Sequence, residues 1–344
     1  MTLKIHQLEE ASEARWDAFV RAMPDATFFH FSAWRHVIAE SFSHQTYYVY
    51  AEEAGEIVGI LPLARMRTKL FGDALISTPF CVYGGPIAMS QAASDALEHY
   101  ALELLRRIGA DSLEFRQLHT PWPGWAVRPP LHYTFRKSFS GDAEIDMKAI
   151  PRKQRAMVRK GIQNGLRSVS DGNIDLLHKV YAESVRNLGT PVFSRHYFRM
   201  LAKYFPEQHD VVTVFDGDAP VASVLNFYFR DEVIPYYGGG TARARQVAAN
   251  DFMYWEVMRR AGAERGCRLY DFGRSKSGTG AFDFKKNWGF TPQPLHYCYR
   301  LGEGAVLAEH NPSNPKYKLL IAAWRHLPLP VANLLGPPIV RGLG

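Results

Sequence analysis

Two stretches of this chain carry the same punctuation, and that constrains the fold more than any other feature. In the first, strand-like runs at 46–51 and 57–64 flank a Glu-Ala-Gly-Glu turn, a hairpin signal. Phe80–Tyr83 reads as a strand ending at Gly84-Gly85-Pro86. Ala92–Ile108 has helical periodicity, with Leu97, Ala101, Leu104 and Leu105 on one face and Gly109 as its stop. Ser112–Arg116 is then a strand. In the second stretch, Val211–Phe215 and Val221–Phe229 flank Asp216-Gly217-Asp218, and Val233–Tyr237 ends at Gly238-Gly239-Gly240. Asn250 can cap a helix Asp251–Arg265, Gly266 stops it, and Arg268–Phe272 is the strand after it. Tyr83 precedes Leu113 by 30 residues and Tyr237 precedes Leu269 by 32. The paired Tyr-Gly-Gly makes duplication a better reading than chance recurrence of hairpins and helices.

A strand, helix and strand that follow an antiparallel hairpin give a mixed sheet, unlike a doubly wound one. The expected fold is mixed α/β (α+β), two tandem domains with mixed, mostly antiparallel sheets flanked by helices. The length of 344 residues suits two domains. The expected boundaries are 1–141, 142–302 and a Pro-rich apolar tail, 303–344. The tail mixes apolar residues and prolines with Trp324, Arg325 and Arg341. It reads either as a cover packed over the second domain or as a peripheral membrane contact; the prolines exclude a spanning helix.

At 47% hydrophobic and 22% charged residues, the chain is neither mostly disordered nor collagen-like. Its three cysteines, Cys81, Cys267 and Cys298, lie far apart, against a disulfide framework or a Cys-rich zinc site. There is no HxxxH, HxH, Gly-x-Ser-x-Gly or Walker loop, so no metal is expected. The acidic start, without an apolar core, and the lack of a long apolar run predict a cytoplasmic protein, or one peripheral at the inner membrane face.

The net charge of +7 is concentrated. Lys148–Arg167 holds seven cations, and no Asp or Glu occurs from Met147 through Ser170. On a helix, Arg152, Arg155 and Arg159 fall within about 60° of one another, with Val158, Ile162 and Leu166 as the adjoining apolar strip. Most charge runs are solvated faces; the absence of compensating acids favours anion binding here. A second constellation is Tyr270–Gly289. Its strand ends at Asp271-Phe272-Gly273, followed by Arg274, Ser275 and a short helix with Lys285, closing at Asn287-Trp288-Gly289. Ligands gather at such strand ends. Asp271 reads as a general base or as a residue holding the loop. Lys285 reads as a charge aimed at a phosphate or oxyanion, or as a surface lysine. Third, Tyr237, Gly238 and Gly239 can expose backbone N–H groups to an acyl carbonyl, or form a plain turn.

The order of the basic helix PRKQRAMVRKGIQNGL, hairpin, YYGGG, helix, LYDFG and FDFKKNWGF resembles the Fem-type branch of the GNAT acyltransferases. The chain with its tail is most similar to FemAB-like proteins associated with exosortase/PEP-CTERM systems. The resemblance implies two GNAT-like domains, the first degenerate, and transfer of an acyl or aminoacyl group to an amine or hydroxyl of a cell-envelope or exopolysaccharide precursor. It maps the Fem-type lysine onto Lys285, with Asn287 beside it, and the basic-helix arginines onto Arg152, Arg155 and Arg159. It implies no tightly bound cofactor, with acyl-CoA or aminoacyl-tRNA as co-substrate. Expected partners are a phosphate-bearing, nucleotide-linked or lipid-linked glycan, or tRNA. The chain departs from the pattern at 243–249, where a CoA pyrophosphate loop would carry glycines; Arg243 and Arg245 supply charge there instead. The alternative is a non-catalytic GNAT-like module binding a phosphorylated glycan or RNA.

Overall fold

The computed structural model describes residues 3–68, 72–127, 130–305 and 315–343. In chain order the first elements are β1 (Lys4–Gln7), α1 (Glu13–Ala22), α2 (Trp34–Phe42), β2 (Gln45–Glu53), β3 (Glu56–Thr68), β4 (Gly72–Ser77), β5 (Ile87–Ala88), α3 (Gln91–Ile108), β6 (Ser112–Gln117) and β7 (Ala126–Val127). Next come β8 (His132–Thr134), β9 (Arg136–Ser138), α4 (Ala143–Ala149), α5 (Arg152–Gln163), β10 (Arg167–Ser170), α6 (Ile174–Leu188), α7 (Arg195–Tyr204), β11 (His209–Asp216), β12 (Ala219–Phe229) and β13 (Glu232–Gly240). The chain continues with α8 (Ala242–Val247), α9 (Ala249–Arg265), β14 (Leu269–Asp271), β15 (Ser275–Lys276), α10 (Gly280–Asn287), β16 (Gln293–Pro294), β17 (His296–Leu301), α11 (Pro315–Arg325) and α12 (Leu329–Val340).

The chain divides into two compact units. One is Met1–Leu131 with Pro294–His310 and Arg341–Gly344; the other is His132–Gln293 with Asn311–Val340. The sheet of the first runs β1-β2-β3-β4-β6-β17-β7, with β5 beside β3, and that of the second runs β10-β11-β12-β13-β14-β9. The first six positions of the two orders correspond one to one. Each sheet places two helices between its first two strands, α1 and α2 or α6 and α7, and a long helix, α3 or α9, before its fifth. Each has its parallel pairing at the same place, β4 with β6 and β13 with β14. This is the duplication expected from the sequence, more complete than the Tyr-Gly-Gly pair implied.

Four details differ from the sequence reading. Phe80–Tyr83 is a loop and not a strand; Thr78 and Phe80 take positive φ there, and β4 ends at Ser77. Tyr83-Gly84-Gly85 therefore lies beyond its strand, whereas Tyr237-Gly238-Gly239 lies within β13. The boundary expected at 141 falls at Leu131, since β9 completes the second sheet beside β14. The strand His296–Leu301, assigned to the second domain, pairs with β6 in the first. Finally, within the stretch set apart as a tail, α11 and α12 belong to the second unit and pack on α6, as the cover reading expects, and α12 continues through Pro337 and Pro338.

Local chemistry explains the elements. The β2–β3 turn has Ala54 and Gly55 both at positive φ, the twist that a two-residue hairpin needs. Ser90 Oγ accepts the Ala93 N–H to start α3, and Gly109, at φ +61°, ends it. In the second unit, α9 is buried on most sides by Phe252, Met253, Trp255, Val257, Met258 and Ala261. Helix α5 lies on it through Gln154, Val158 and Gly161, spaced i, i+4, i+7. A Cβ on Gly161 would stand 2.7 Å from Phe252 Cβ. Gly161→Val is therefore expected to cost about 1–3 kcal/mol by overpacking, read as a lowered urea midpoint. An unchanged midpoint would show that α5 can lift off α9 freely.

Candidate active site

The basic helix forms as expected. Pro151 precedes its first turn, and Arg152 and Arg159 are exposed while Arg155, half-buried, donates from Nη1 to the Lys148 carbonyl at 2.8 Å. Val158 and Leu166 are buried, but Ile162 is 49% exposed and leaves the apolar strip one member short. The three arginines thus share one stripe while the opposite face packs on α9.

In the second sheet, the two strands of the parallel pair part toward one end. β14 pairs with β13 at Glu232 and Val233, and β13 runs on to Gly240 against β12 alone among the described strands. A bulge falls between the pairs Leu225–Tyr237 and Asn226–Pro235. The Thr241 N–H donates to the Val221 carbonyl at 2.8 Å. Antiparallel ladders alternate, so Gly239 and Tyr237 turn their N–H groups toward β12, and the Gly238 N–H is directed to the side on which β14 has diverged. The Gly240 N–H donates to Ser184 Oγ of α6 at 3.3 Å.

The glycines are needed for packing as well. A Cβ on Gly239 would run into Ser184, and one on Gly238 would stand 3.1 Å from the Tyr254 hydroxyl. A Cβ on Gly240 would stand 2.5 Å from Asn250 Oδ1, a buried atom without a hydrogen-bond partner among the described residues. Asn250 and Tyr254 are one turn apart on α9, so both reach the same strand end. The Tyr254 ring lies 4.7 Å from Phe272 and 5.7 Å from Phe284, which ties β13 to the strand end of β14 and to α10. Burial, with a contribution from Asp251, pushes the Tyr254 hydroxyl up to about 12. It is neutral and a donor at physiological pH. Sequence reading missed Tyr254; its one signal is the Asn-x-x-x-Tyr spacing on the helix after the glycines.

The other candidates take different positions. Tyr237 points to the opposite face, with its hydroxyl 2.9 Å from that of Tyr197 and its ring among Tyr181, Phe193 and Phe198. Asp271, 1% exposed, accepts from the Gly273 N–H at 2.7 Å and from Thr134 Oγ1 at 3.0 Å, and faces Arg136 at 3.6 Å. That geometry holds the loop, the structural half of its two readings. Lys285 is no surface lysine: it is 9% exposed, and its Nζ donates to the Gly273 and Arg274 carbonyls at 2.9 and 3.1 Å. The rings of Phe135 and Phe272 lie 5.4 and 5.7 Å from it. Burial pulls its pKa down to about 7, against the pull of Asp271. Arg274 is half-buried, Ser275 is buried with Oγ unpartnered among the described residues, and Asn287 is exposed. Trp288, its neighbour, is buried and donates from Nε1 to Asp251 at 2.9 Å, which fixes α10 against the start of α9.

The segment in place of a pyrophosphate loop is helix α8, and Ala248 at φ +62° separates it from α9. Arg243 on it is paired with Asp216 at 2.8 Å, and Arg245 is exposed. The first unit closes the corresponding place. Gly84 and Gly85 both donate their N–H groups to the Arg116 carbonyl of β6, at 3.2 and 2.9 Å. A buried Arg116–Glu114 pair at 2.6 Å backs that contact. The glycine amides of this loop are thus already satisfied by protein.

Residues 152–286 match the family described as Acetyltransferase (GNAT) domain. No curated protein matches the chain. Among solved structures it is similar to FemX, with a TM-score of 0.65 and 13% identity over 92% of this chain and 100% of that one. It is similar to the C-terminal domain (DUF2156) of a putative lysylphosphatidylglycerol synthetase from Agrobacterium fabrum, with a TM-score of 0.57 and 15% identity over 85% and 92% of the two chains. It is also similar to a tandem GNAT protein from the clavulanic acid biosynthesis pathway, with a TM-score of 0.53 and 11% identity over 89% and 100%. The chain therefore has the tandem-GNAT fold that FemX shares and, through the GNAT domain at residues 152–286, is an acyltransferase.

Proposed function

We propose that the second unit transfers an acyl or aminoacyl group to an amine or hydroxyl of a phosphate-bearing cell-envelope or exopolysaccharide precursor. The observation that carries this reading is the parting of β13 from β14 beside Gly238 and Tyr254. The donor carbonyl lies in that opening. The acceptor nucleophile attacks it, and the Gly238 N–H and the Tyr254 hydroxyl donate hydrogen bonds to the developing oxyanion. Collapse of the tetrahedral intermediate re-forms the carbonyl and expels the donor's thiolate or ribose oxygen, which takes up the proton that the attacking amine or hydroxyl gives up. Lys285 acts as a positioning residue that clamps the Gly273–Arg274 turn.

Arg152, Arg155 and Arg159 bind phosphate of the acceptor. A putative lysylphosphatidylglycerol synthetase domain among the similar structures supports a phosphate-bearing acceptor, since that name specifies one. Helix α8, standing where a glycine loop would cradle a CoA pyrophosphate, favours aminoacyl-tRNA over acyl-CoA as donor.

Steady-state transfer assays with each donor and a phosphorylated glycan acceptor test this. The double variant Arg152→Glu/Arg159→Glu is expected to raise the acceptor KM about tenfold or more with kcat little changed, since it removes binding common to ground and transition states. An unchanged KM would remove the basic stripe from the acceptor site.

A further inference from the structure

Helix α12 is built inside out. Its buried residues are small or medium, Ala332, Gly336 and Val340, and a Cβ on Gly336 would stand 2.8 Å from the Val192 backbone nitrogen. Its exposed residues Pro330, Val331, Leu334, Leu335 and Pro338 are all apolar, and the last four follow the i, i+3, i+4, i+7 spacing of one helix face. Leu334 is 75% exposed. Helix α11, packed on the same helix α6, adds Leu319 and Leu320 at 73% and 64% exposure. A water-facing helix normally shows the reverse pattern.

Charge says what covers this face. From Asn311 to Gly344 the sequence has no Asp or Glu but has Lys316, Lys318, Arg325 and Arg341. A segment that exposes large apolar side chains and carries cations but no carboxylate suits a surface that is apolar below and anionic above. No described helix is long and apolar enough to cross a membrane. A second copy of the chain is the poorer occupant. It would bring cations against cations, and one face of a helix this short offers roughly 200 Å², against the roughly 800 Å² per partner of a standard interface.

We infer that α11 and α12 dock the protein on a bilayer carrying anionic headgroups, with α12 lying in the interface and Val331, Leu334, Leu335 and Pro338 inserted. The inference stands apart from the acyl-transfer reading, because none of these residues lies at the strand end.

Co-sedimentation of the full chain with mixed phosphatidylglycerol–phosphatidylcholine vesicles, and with phosphatidylcholine alone, tests it. Binding is expected to the mixed vesicles, weaker to the zwitterionic ones and reduced by salt. Leu334→Glu and Leu319→Glu/Leu334→Glu should weaken it about tenfold or more, with melting temperature unchanged because both sites are exposed. Sedimentation velocity on the same proteins reads the competing occupant. Absent binding, binding indifferent to Leu334→Glu, or a dimer that the variant dissolves without effect on vesicles would each overturn the inference.

Discussion

Tyr254→Phe is expected to lower turnover about a hundredfold or more while the urea midpoint stays in place. The ring is what packs, against Phe272 and Phe284, and phenylalanine keeps it. The hydroxyl is what reaches the Gly238 strand end. Raised to about 12, it remains protonated across the assay range. It can therefore donate to an oxyanion without ionising, and its loss should leave the pH profile of the residual activity unaltered. Single-turnover rates for wild type and variant, with unfolding curves for both, check the split. Equal rates would remove the hydroxyl from the chemistry and leave Tyr254 as a packing residue.

Lys285 gives the second large effect, and its sign depends on pH. Its amine carries a proton up to about pH 7 in the folded protein and up to its ordinary value of 10.5 in the unfolded chain. Between those values the unfolded state binds the additional proton, so this group makes stability rise with pH, with a slope approaching about 1.4 kcal/mol per unit. Lys285→Met retains most of the side-chain volume and removes the titration. The difference in unfolding free energy between wild type and Lys285→Met should therefore shift in favour of wild type from pH 7 to pH 9. Lys285→Ala adds a cavity to two unsatisfied carbonyls and is expected to cost about 2–4 kcal/mol near pH 7, and more as the pH rises because it too removes the titration. Urea titrations at several pH values check both. Parallel wild-type and Met curves would contradict a depressed pKa. The sequence reads this lysine either as a charge aimed at a phosphate or oxyanion or as a surface lysine. Its Nζ donates to the Gly273 and Arg274 carbonyls, so loss of activity in the alanine variant would come with loss of stability.

Much of the architecture is legible because its signals are local. Hairpin turns, Gly109 and Gly266 as helix stops, and the apolar face of α3 are each written within one turn or one strand pair. The exchange of β17 into the first sheet is not, since it pairs Cys298 with Phe115 across most of the chain and no local pattern marks it. The loop at Phe80–Tyr83 misleads because a short apolar run before two glycines looks like the end of a strand, yet buried packing of Phe80 and Cys81 accounts for the same residues. Helices α6 and α7 carry ordinary caps, Asn173 and Ser194, but lie outside the repeated motif that organises the sequence reading. The site is only half legible. The glycines and the basic stripe announce themselves by composition. Tyr254 does not, because a tyrosine inside a buried helix is chemically unremarkable until the fold brings it to Gly238.

The parting of β13 and β14 is the centre of the account, and amide NMR addresses it directly. The full chain would be labelled with 15N glycine and titrated with two inert donor analogues, a thioether acyl-CoA and an amide-linked 3′-aminoacyl-adenosine. The account predicts that at least one ligand moves the Gly238 amide most, with smaller shifts at Gly239 and Gly240 and none at Gly84 and Gly85, whose amides Arg116 already holds. Shifts confined to Gly84 and Gly85, or a Gly238 resonance that neither analogue moves, would contradict it.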